Sequence, residues 1–570
     1  MARFRLGTHR RLLLALGIVV AVAAAAAGGL AAGSGQDPAP SSSVTHSGIR
    51  ARLLGATRAR APVRFSLVLR LHHARLERFL AGLYDPRSRV YHHFINAGEF
   101  GRRFGVSDRQ LAALLDVLRR GDISITGQYP QRTAVDAFAP AAVVDRFFHV
   151  RLMDYRAPGG RRFHSPLSAP QIPGLLRGIV SGVAGLQGGF FPRADDVPSQ
   201  GITPAIGTTA YDIKPLYAQG IKGQGETVAV VESSNFTQSD LDNFAQQYGL
   251  PPFKPQNIPI PRDGPATDTS PEGEGEAELD VELIHEVAPA AEILDYNAPG
   301  VTSDGFDSLG DMLDKIVADG RAKIVSDSMG YCELGFPGAA LQRDEQSIQA
   351  AIAHGVSIFK STGDEGAYQC ERFDNTDHRL SVEWPASSAG VVAVGGTALA
   401  VSATGGYAGE AAWEDVLERG GGGGGLSAVI ARPSWQSAPG VVSRFSNGKR
   451  QIPDVAADAA PATGWAAWTD GTLSPVAGTS AAAPFWAGAM ALIDQYSRQH
   501  GASAVGYVNP MLYRIASTPQ PAPPFHDVTV GTNRYYPATT GWDFATGLGS
   551  PDVYNLAQDV LRYLKSHPAK

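Results

Sequence analysis

Short apolar segments alternate with longer amphipathic segments through the C-terminal two-thirds of the chain. The apolar segments have the length of strands and lie at 227–231, 292–294, 323–326 and 356–359. Segments with the helical spacing of apolar residues lie at 239–248, 305–318 and 341–353. Strand and helix signals that alternate in this way are typical of a parallel sheet with helices on both faces. The pattern therefore predicts an α/β domain built on a doubly wound parallel sheet.

A smaller unit precedes this region. Its strands and helices are predicted, in chain order, at 64–71, 74–83, 107–118, 122–127, 133–138 and 141–149. Ser107 begins the third of these segments as a helix N-cap. The resulting β-α-α-β-β-α order is consistent with a ferredoxin-like α+β domain.

The first 35 residues have the composition of a secretory signal peptide. Four arginines precede an apolar run at 12–22, and an alanine-rich tail places the cleavage site between residues 27 and 35. This order is typical of a signal peptide, and an uncleaved membrane anchor is the alternative. Beyond residue 35 no apolar run reaches the length that spans a membrane. We therefore expect a secreted protein, extracellular or periplasmic, with no membrane span after signal cleavage.

The composition and net charge further restrict the class of protein. With 570 residues, of which 44% are hydrophobic and 18% charged, the chain can bury a large core in more than one domain. The net charge of −6 argues against a nucleic-acid-binding protein, and no basic stripe is interleaved with aromatic residues.

The segment around Ser480 has the pattern of a nucleophile at the start of a helix. Gly478 and Thr479 precede the serine, and a long apolar run with helical length follows at 485–493. Pro484 is expected in the first helical turn, where its missing N–H costs nothing. Free N–H groups and the helix dipole at such an N-terminus favour developing negative charge. The alternative is an ordinary serine N-cap.

An acidic segment at 273–287 supplies a candidate base. With about 100° per helical residue, Glu276 and Asp280 lie one turn apart on the face that carries apolar residues. Glu278 and Glu282 lie on the opposite face, which we expect to be solvated. Two carboxylates on a buried face repel each other and are costly to desolvate. The pair therefore indicates a coupled general base, with a metal site or a frayed helix start as alternatives.

Asp364 is the third candidate residue. It lies in a glycine-flanked turn directly after the apolar strand signal at 356–359. Ligand sites in open α/β sheets gather at the carboxyl ends of strands. A plain surface turn is the alternative interpretation.

Together, Glu276-x-x-x-Asp280, Ser-x-Gly-Asp364-x-Gly and Gly-Thr-Ser480-x-x-x-Pro resemble the sedolisin (serine-carboxyl peptidase) family in its prokumamolisin-like form. The resemblance implies a subtilisin-like fold in which glutamate replaces the catalytic histidine and aspartate fills the oxyanion hole. Ser480 would then be the nucleophile and Glu276 the base, assisted by Asp280. Asp364 would stabilise the oxyanion, which it can do only as a neutral acid that donates its O–H.

These roles imply activity in acid. An ordinary glutamate titrates near about 4.3 and a histidine near about 6.5, so only the carboxylate still accepts a proton at low pH.

The resemblance also divides the chain. The strings at 91–94 and 99–105 resemble the prokumamolisin activation domain, which we place at 45–185. Residues 186–205, rich in Pro, Gly and paired acids, are expected to be a cleavable linker, and 206–566 the catalytic domain. The activation domain would inhibit the enzyme and be removed on maturation; a permanent accessory domain is the alternative.

Two further features bear on the base. The family pattern adds Glu232 to the carboxyl network, but the position that would pair with it holds Met329 instead of Trp. A histidine base fits less well, because His285 lies opposite Asp280 and His354 ends an apolar helix. Neither a Gly-x-Ser-x-Gly nor a His-Glu-x-x-His motif is present.

A calcium site is implied near the C-terminus. The segments around residues 525–531 and 539–549 resemble the family's site, and they offer the oxygen ligands that Ca²⁺ prefers. The implied ligands of one ion are the carboxylates of Asp527 and Asp543 with the carbonyls of Val528, Thr539 and Gly541. Two turn aspartates without a metal are the alternative.

Cys332 and Cys370 are the only cysteines. An even count in an exported chain favours one disulfide, with two free thiols as the alternative.

The sequence thus predicts a peptidase that acts on proteins or peptides and binds its own propeptide. A tripeptidyl-peptidase of the same family and a non-catalytic binding protein are alternatives. A glycosidase fits poorly, because its two carboxyls flank a sugar about 5–9 Å apart instead of lying beside a serine.

Overall fold

The computed structural model describes residues 43–44, 50–156, 162–186, 201–260, 266, 268–299, 308–415 and 419–568. The predicted signal peptide at 1–35 and residues 187–200 of the predicted linker lie outside the described residues. Everything described belongs to one compact unit, residues 42–570. Among these residues, every helix is too short or too polar to cross a membrane.

The N-terminal part is an α+β domain with two antiparallel sheets. In spatial order the first sheet contains Ser124–Gln128, Ala134–Pro140, Pro62–Leu69 and Val180–Ala184. The second contains Ser43–Val44, Arg50–Ala56, Leu152–Arg156 and Arg162–Pro166. Its helices are α1 (His73–Leu83), α2 (Ala97–Phe104), α3 (Asp108–Arg120) and α4 (Ala141–Phe148).

The first sheet has the strand order of the expected ferredoxin-like fold. Counted along the chain, its strands lie in the order 2-3-1-4. Ser107 caps α3, and its capping box with Gln110 confirms the predicted helix start. The sequence did not predict α2, the fourth strand of this sheet, Val180–Ala184, or the strands of the second sheet. The strand Val180–Ala184 is short and contains small residues and a glycine, so it has no clear alternation.

The central sheet of the larger part is mostly parallel. In spatial order its main path contains Gln256–Pro259, Glu292–Asn297, Thr227–Glu232, Ile324–Asp327, Ser357–Ser361, Val392–Val401 and Tyr407–Ala412. Val455–Asp458 joins it beside Val392–Val401, and Tyr407–Ala412 is the antiparallel member among the described strands. The four predicted strands are all members, so the doubly wound parallel sheet is confirmed.

Helices cover both faces of this sheet. They are α5 (Pro204–Ala210), α6 (Lys214–Ala218), α7 (Gln238–Tyr248), α8 (Pro271–Val287), α9 (Leu309–Asp319), α10 (Gly338–Ala353), α11 (Thr479–Gln499), α12 (Asn509–Ala516) and α13 (Val553–Ser566). Within one strand, Val228 and Val230 join the core with α8 and α11, while Ala229 and Val231 join the core with α9 and α10. This alternation follows from the two-residue period of a strand.

Short two-stranded pairs complete the larger part. They are Tyr331–Cys332 with Glu383–Trp384, Glu414–Asp415 with Gly420–Gly421, Gly425–Ala431 with Lys449–Ile452, Trp465–Thr469 with Thr472–Val476, and Phe525–His526 with Ser550–Pro551.

The N-terminal domain rests on α9 and α10. A Cβ atom at Gly182 would lie only 3.2 Å from that of Ala339, so the domain's fourth strand approaches α10 closely. The Thr133 hydroxyl donates to Asp314 at 2.6 Å, and Arg343 pairs with the same carboxylate at 2.7 Å. These three polar side chains are buried. The interface therefore combines close apolar packing with charge-assisted hydrogen bonds.

Candidate active site

Ser480 lies at the N-terminus of α11, as the sequence predicts. Gly478 precedes the helix with a φ of +108°, a conformation that favours glycine. A Cβ atom at this position would lie 2.7 Å from Oδ2 of Asp364, so a larger residue would also collide. Thr479 is the first helical residue and Ser480 the second. The Gly-Thr-Ser sequence is thus explained by a turn that brings the serine beside an aspartate.

Pro484 is inside α11, and its predicted place in the first turn was wrong. At that position the missing N–H would otherwise bond the carbonyl oxygen of Ser480. The hydroxyl of Ser328 lies 3.4 Å from this oxygen as a donor. The backbone of Ser480 is therefore tied to a neighbouring segment instead of to its own helix.

Asp364 follows the strand Ser357–Ser361, as predicted, and is fixed against the turn before Ser480. Its Oδ1 accepts hydrogen bonds from the backbone N–H of Thr479 at 2.8 Å and from the Thr479 hydroxyl at 2.9 Å. The same hydroxyl accepts from the N–H of Gly363 at 2.9 Å. Because both donors reach Oδ1, a proton on the neutral acid belongs on Oδ2.

Glu276 lies half-buried in the second turn of α8. Burial raises its pKa to about 7, and the hydrogen bond with the Ser480 hydroxyl opposes this rise. The charge of Asp364 raises the pKa further, whereas Arg372 and Lys360 lower it. A carboxyl with these neighbours is positioned to take a proton from the serine.

Asp280 is fully buried one helical turn after Glu276. The hydroxyl of Ser328 lies 2.9 Å from each of its carboxyl oxygens. Burial and then the charge of Glu276 raise the pKa of Asp280 well above its ordinary value, and the Ser328 hydrogen bond lowers it. The two carboxyls therefore share protons as a pair.

Glu232 extends this pair on its other side. It is buried at the end of its strand, and burial followed by the charge of Asp280 raises its pKa strongly. Their hydrogen bond raises the pKa of Glu232 and lowers that of Asp280. Glu232 is thus the protonated donor and Asp280 the acceptor. Met329 is also buried, so the carboxyl network exists without a Trp at that position.

The opposite face of α8 is buried, and its predicted solvation was wrong. Glu278 and Glu282 are 1% and 0% exposed. Glu282 accepts from the backbone N–H of Trp468 at 2.8 Å, and Glu278 from that of Thr237 at 2.9 Å. The hairpin Trp465–Val476 covers this face, and it comes from a part of the chain nearly two hundred residues away.

The two histidines that are the alternative bases, His285 and His354, pack against other residues and bond backbone carbonyls. His285 stacks on Phe253, with ring centroids 3.7 Å apart, and its Nε2 is 2.8 Å from the carbonyl of Pro251. His354 contacts the carbonyl of Ile95 in the N-terminal domain at 2.9 Å. Burial lowers the pKa of each ring.

Two side chains near the site, Ser328 and Lys360, have no sequence signal strong enough to predict them. Lys360 is fully buried in the strand that leads to Asp364, and it pairs with Glu383 at 3.4 Å. A lysine inside an apolar strand is the only hint, because an unpaired charge there would be costly. Cys332 and Cys370 form a disulfide close to these residues in sequence.

The residues of the predicted calcium site are brought together in part. The N–H of Gly541 donates to both oxygens of Asp527, at 3.1 and 3.0 Å, and the N–H of Thr539 donates to Asp543 at 2.7 Å. Burial raises the pKa of Asp543 to about 6 despite these donors, so a cation would stabilise its charged form. No cluster of three or more His, Cys, Asp or Glu side chains in the described chain is arranged to hold a metal. Two carboxylates with carbonyls such as that of Val528 are the oxygen set that suits Ca²⁺.

Comparisons with known families divide the chain in two. Residues 50–188 match the family described as "Pro-kumamolisin, activation domain". Residues 266–517 match the family described as "Subtilase family".

Individual relatives match across both parts. Sedolisin of Pseudomonas sp. (strain 101) is 30% identical over 518 residues, which cover 86% of this chain and 86% of the relative. Kumamolisin of Bacillus sp. (strain MN-32) is 32% identical over 453 residues, covering 74% and 78%. The structure of Pseudomonas sedolisin (serine-carboxyl proteinase) complexed with two molecules of pseudo-iodotyrostatin matches with a TM-score of 0.56 and 31% identity. That match covers 65% of this chain and 100% of the other.

Proposed function

The chain belongs to the sedolisin family of serine-carboxyl peptidases and is a peptidase, and we propose that it is a secreted, acid-active endopeptidase made as a self-processing zymogen. One observation carries the proposal. The hydroxyl of Ser480 is bonded to Glu276, while Asp364 is held on the turn that delivers this serine.

In the proposed reaction, Ser480 attacks the carbonyl carbon of a peptide bond. Glu276 takes the hydroxyl proton as the new C–O bond forms, and later gives it to the leaving amine. Asp280 shares the proton of this carboxyl pair and orients Glu276. The helix N-terminus of α11 adds a favourable field for the negative charge that develops.

Asp364 would stabilise the tetrahedral oxygen by donating its O–H. The two Thr479 donors on Oδ1 support this role, because they leave Oδ2 as the oxygen that carries the proton. Protonation of Asp364 also removes one of the charges that raise the pKa of Glu276. Acid therefore keeps the oxyanion donor neutral, and the loss of its charge lowers the pKa of Glu276, so this base is charged in a larger fraction of molecules at a given acidic pH than it would be beside a charged Asp364.

The N-terminal domain is proposed to inhibit the enzyme until it is cleaved off. Its buried contact from Thr133 to Asp314 supports tight docking on the peptidase domain. The segment at 186–205 would be cut on maturation, and the first 35 residues would direct export. Protein and peptide substrates would then be cleaved outside the cell.

We propose one Ca²⁺ ion as a structural cofactor. Asp527 and Asp543, with the carbonyls of Val528, Thr539 and Gly541, would hold it. The ion would neutralise two carboxylates in a loop-rich region and take no part in the reaction.

The test uses the full-length chain with casein as substrate, in acidic and in neutral buffer. Self-cleavage and casein cleavage are expected in acid, and losses of about 10³-fold or more are expected in Ser480→Ala and in Glu276→Gln. Glu272→Gln, at an exposed position on the same helix, is the matched control, and we expect it to keep its activity. Mass spectrometry of the products separates internal cleavage from tripeptide release. Full activity of Ser480→Ala, or a peak of activity in alkaline buffer, would overturn the proposal.

A further inference from the structure

Ser328 joins the carboxyl pair to the nucleophile, and the proposed reaction leaves it without a role. Its single hydroxyl lies 2.9 Å from each oxygen of Asp280 and 3.4 Å from the carbonyl oxygen of Ser480. That carbonyl has lost its normal helical partner because residue 484 is a proline. One side chain therefore contacts the residue that assists the base and the backbone of the serine that the base activates.

An ionised carboxylate has no proton to donate, so the Ser328 hydroxyl can only be the donor in a hydrogen bond with it. Asp280 also accepts from the protonated Glu232, so two donors converge on the same carboxyl group. These donors lower the pKa of Asp280, but burial and the charge of Glu276 raise it by more, so its pKa lies well above the ordinary value. The converging donors fix the carboxyl of Asp280 in place, and Glu276 is the member of the pair that is hydrogen-bonded to Ser480.

The backbone of Ser328 is itself fixed by a hydrogen bond from the neighbouring strand. Its carbonyl oxygen accepts from the hydroxyl of Ser361 at 3.3 Å, and that hydroxyl accepts from the ammonium of Lys360 at 2.6 Å. Lys360 also donates to the Ser361 carbonyl at 2.9 Å and pairs with Glu383 at 3.4 Å. These groups are buried, so the position of Ser328 is fixed by a rigid chain of hydrogen bonds.

We propose that Ser328 is a positioning residue, which fixes the carboxyl of Asp280 one helical turn from Glu276 and holds the turn of Ser480 at the distance that proton transfer to Glu276 requires. The inference rests on the proposed function of these residues. A hydrogen bond to a charged group supports a loss of about 10- to 100-fold when its donor is removed. Because the role is exerted in the reaction step, the loss belongs in kcat and not in KM.

The experiment compares Ser328→Ala, Ser328→Cys and Ser328→Thr. Each full-length variant is matured with wild-type enzyme immobilised on beads, which is then removed, and kcat and KM are measured on a peptide substrate in acid. Ser328→Cys keeps the approximate size of the side chain but offers only a weak S–H donor. It therefore tests the loss of the hydrogen bond if the alanine variant does not fold. The threonine variant keeps the hydroxyl, at a position that is only partly buried.

We expect kcat to fall about 10- to 100-fold in the alanine and cysteine variants, with KM within about 2-fold of wild type, and threonine to restore most of kcat. Ser357→Ala is the matched structural control, since its buried hydroxyl bonds only backbone groups of residues 506 and 508. An unchanged kcat in Ser328→Ala, or a change mainly in KM, would overturn the inference while Ser480→Ala stays inactive. An active Ser480→Ala would instead overturn the proposed function.

Discussion

Glu286 is a carboxyl group of α8 whose burial ties the stability of the fold to pH. It is 1% exposed, and within the described part of the chain neither of its carboxyl oxygens has a hydrogen-bond partner. Burial raises its pKa well above the ordinary value, so the folded protein holds it protonated. The perturbation to make is Glu286→Gln, which keeps the shape of the side chain and removes the titration.

The expected effect on the free energy of unfolding follows from the linkage between proton binding and folding. The folded-state pKa lies above the unfolded one, so this group's contribution is fully present below about 4.3 and is lost as pH rises toward the folded pKa. Within that window the folded state binds one proton more at this position. Stability therefore falls by about 1.4 kcal/mol per pH unit from this group alone. Glu286→Gln should remove this share of the slope, so the free energy of unfolding of the variant should fall less steeply than that of the wild type as pH rises from 5 to 7.

The assay is urea unfolding of the full-length chain at several pH values between 5 and 7. It is carried out in a Ser480→Ala background, which is expected to stop self-cleavage. Glu272→Gln, in the exposed first turn of the same helix, controls for the loss of a carboxylate from α8. A slope that Glu286→Gln leaves unchanged, or changes no more than Glu272→Gln does, would refute the reasoning.

Two further predictions concern the base and the calcium site. Lys360→Met removes a positive charge that lowers the pKa of Glu276, so the acidic limb of the kcat–pH profile should move to higher pH. Lys323→Met removes a lysine that is hydrogen-bonded to the carbonyl of His354, and it should leave that limb in place. Calcium chelation should lower the melting temperature of the full-length chain by several degrees, and Asp543→Asn should abolish that dependence on calcium, measured by scanning calorimetry with and without added Ca²⁺.

Much of the fold was predictable because its signals are local. Strand length, helical spacing and the capping box at Ser107 depend on residues close in sequence, and each of these predictions was confirmed. The convergence of Glu276, Asp364 and Ser480 was anticipated from motif order, since no local pattern brings together residues that lie far apart in the chain. What failed depends on long-range contacts. The burial of Glu278 and Glu282 follows from a distant hairpin, and the periodicity of a helix cannot tell which of its faces another element will cover.

The two faces of α8 lead to one physical conclusion. One face presents Glu276 and Asp280 to Ser480, and the other carries Glu278, Glu282 and Glu286 into a buried environment. Burial raises the pKa values of both sets. On the second face acid neutralises groups whose charges would otherwise be desolvated, whereas on the first face the neutralisation of Asp364 lowers the pKa of the base, Glu276.

In the proposed mechanism, activity and stability therefore decline together as pH rises, although for different reasons. Only the catalytic face depends on a neutral oxyanion donor and a charged base, whereas the hairpin-covered face depends on carboxyls that hold their protons. Glu286→Gln acts on the second face alone. It should extend the stable range toward neutral pH without extending the active range, because the protonation of Asp364 remains the requirement for turnover.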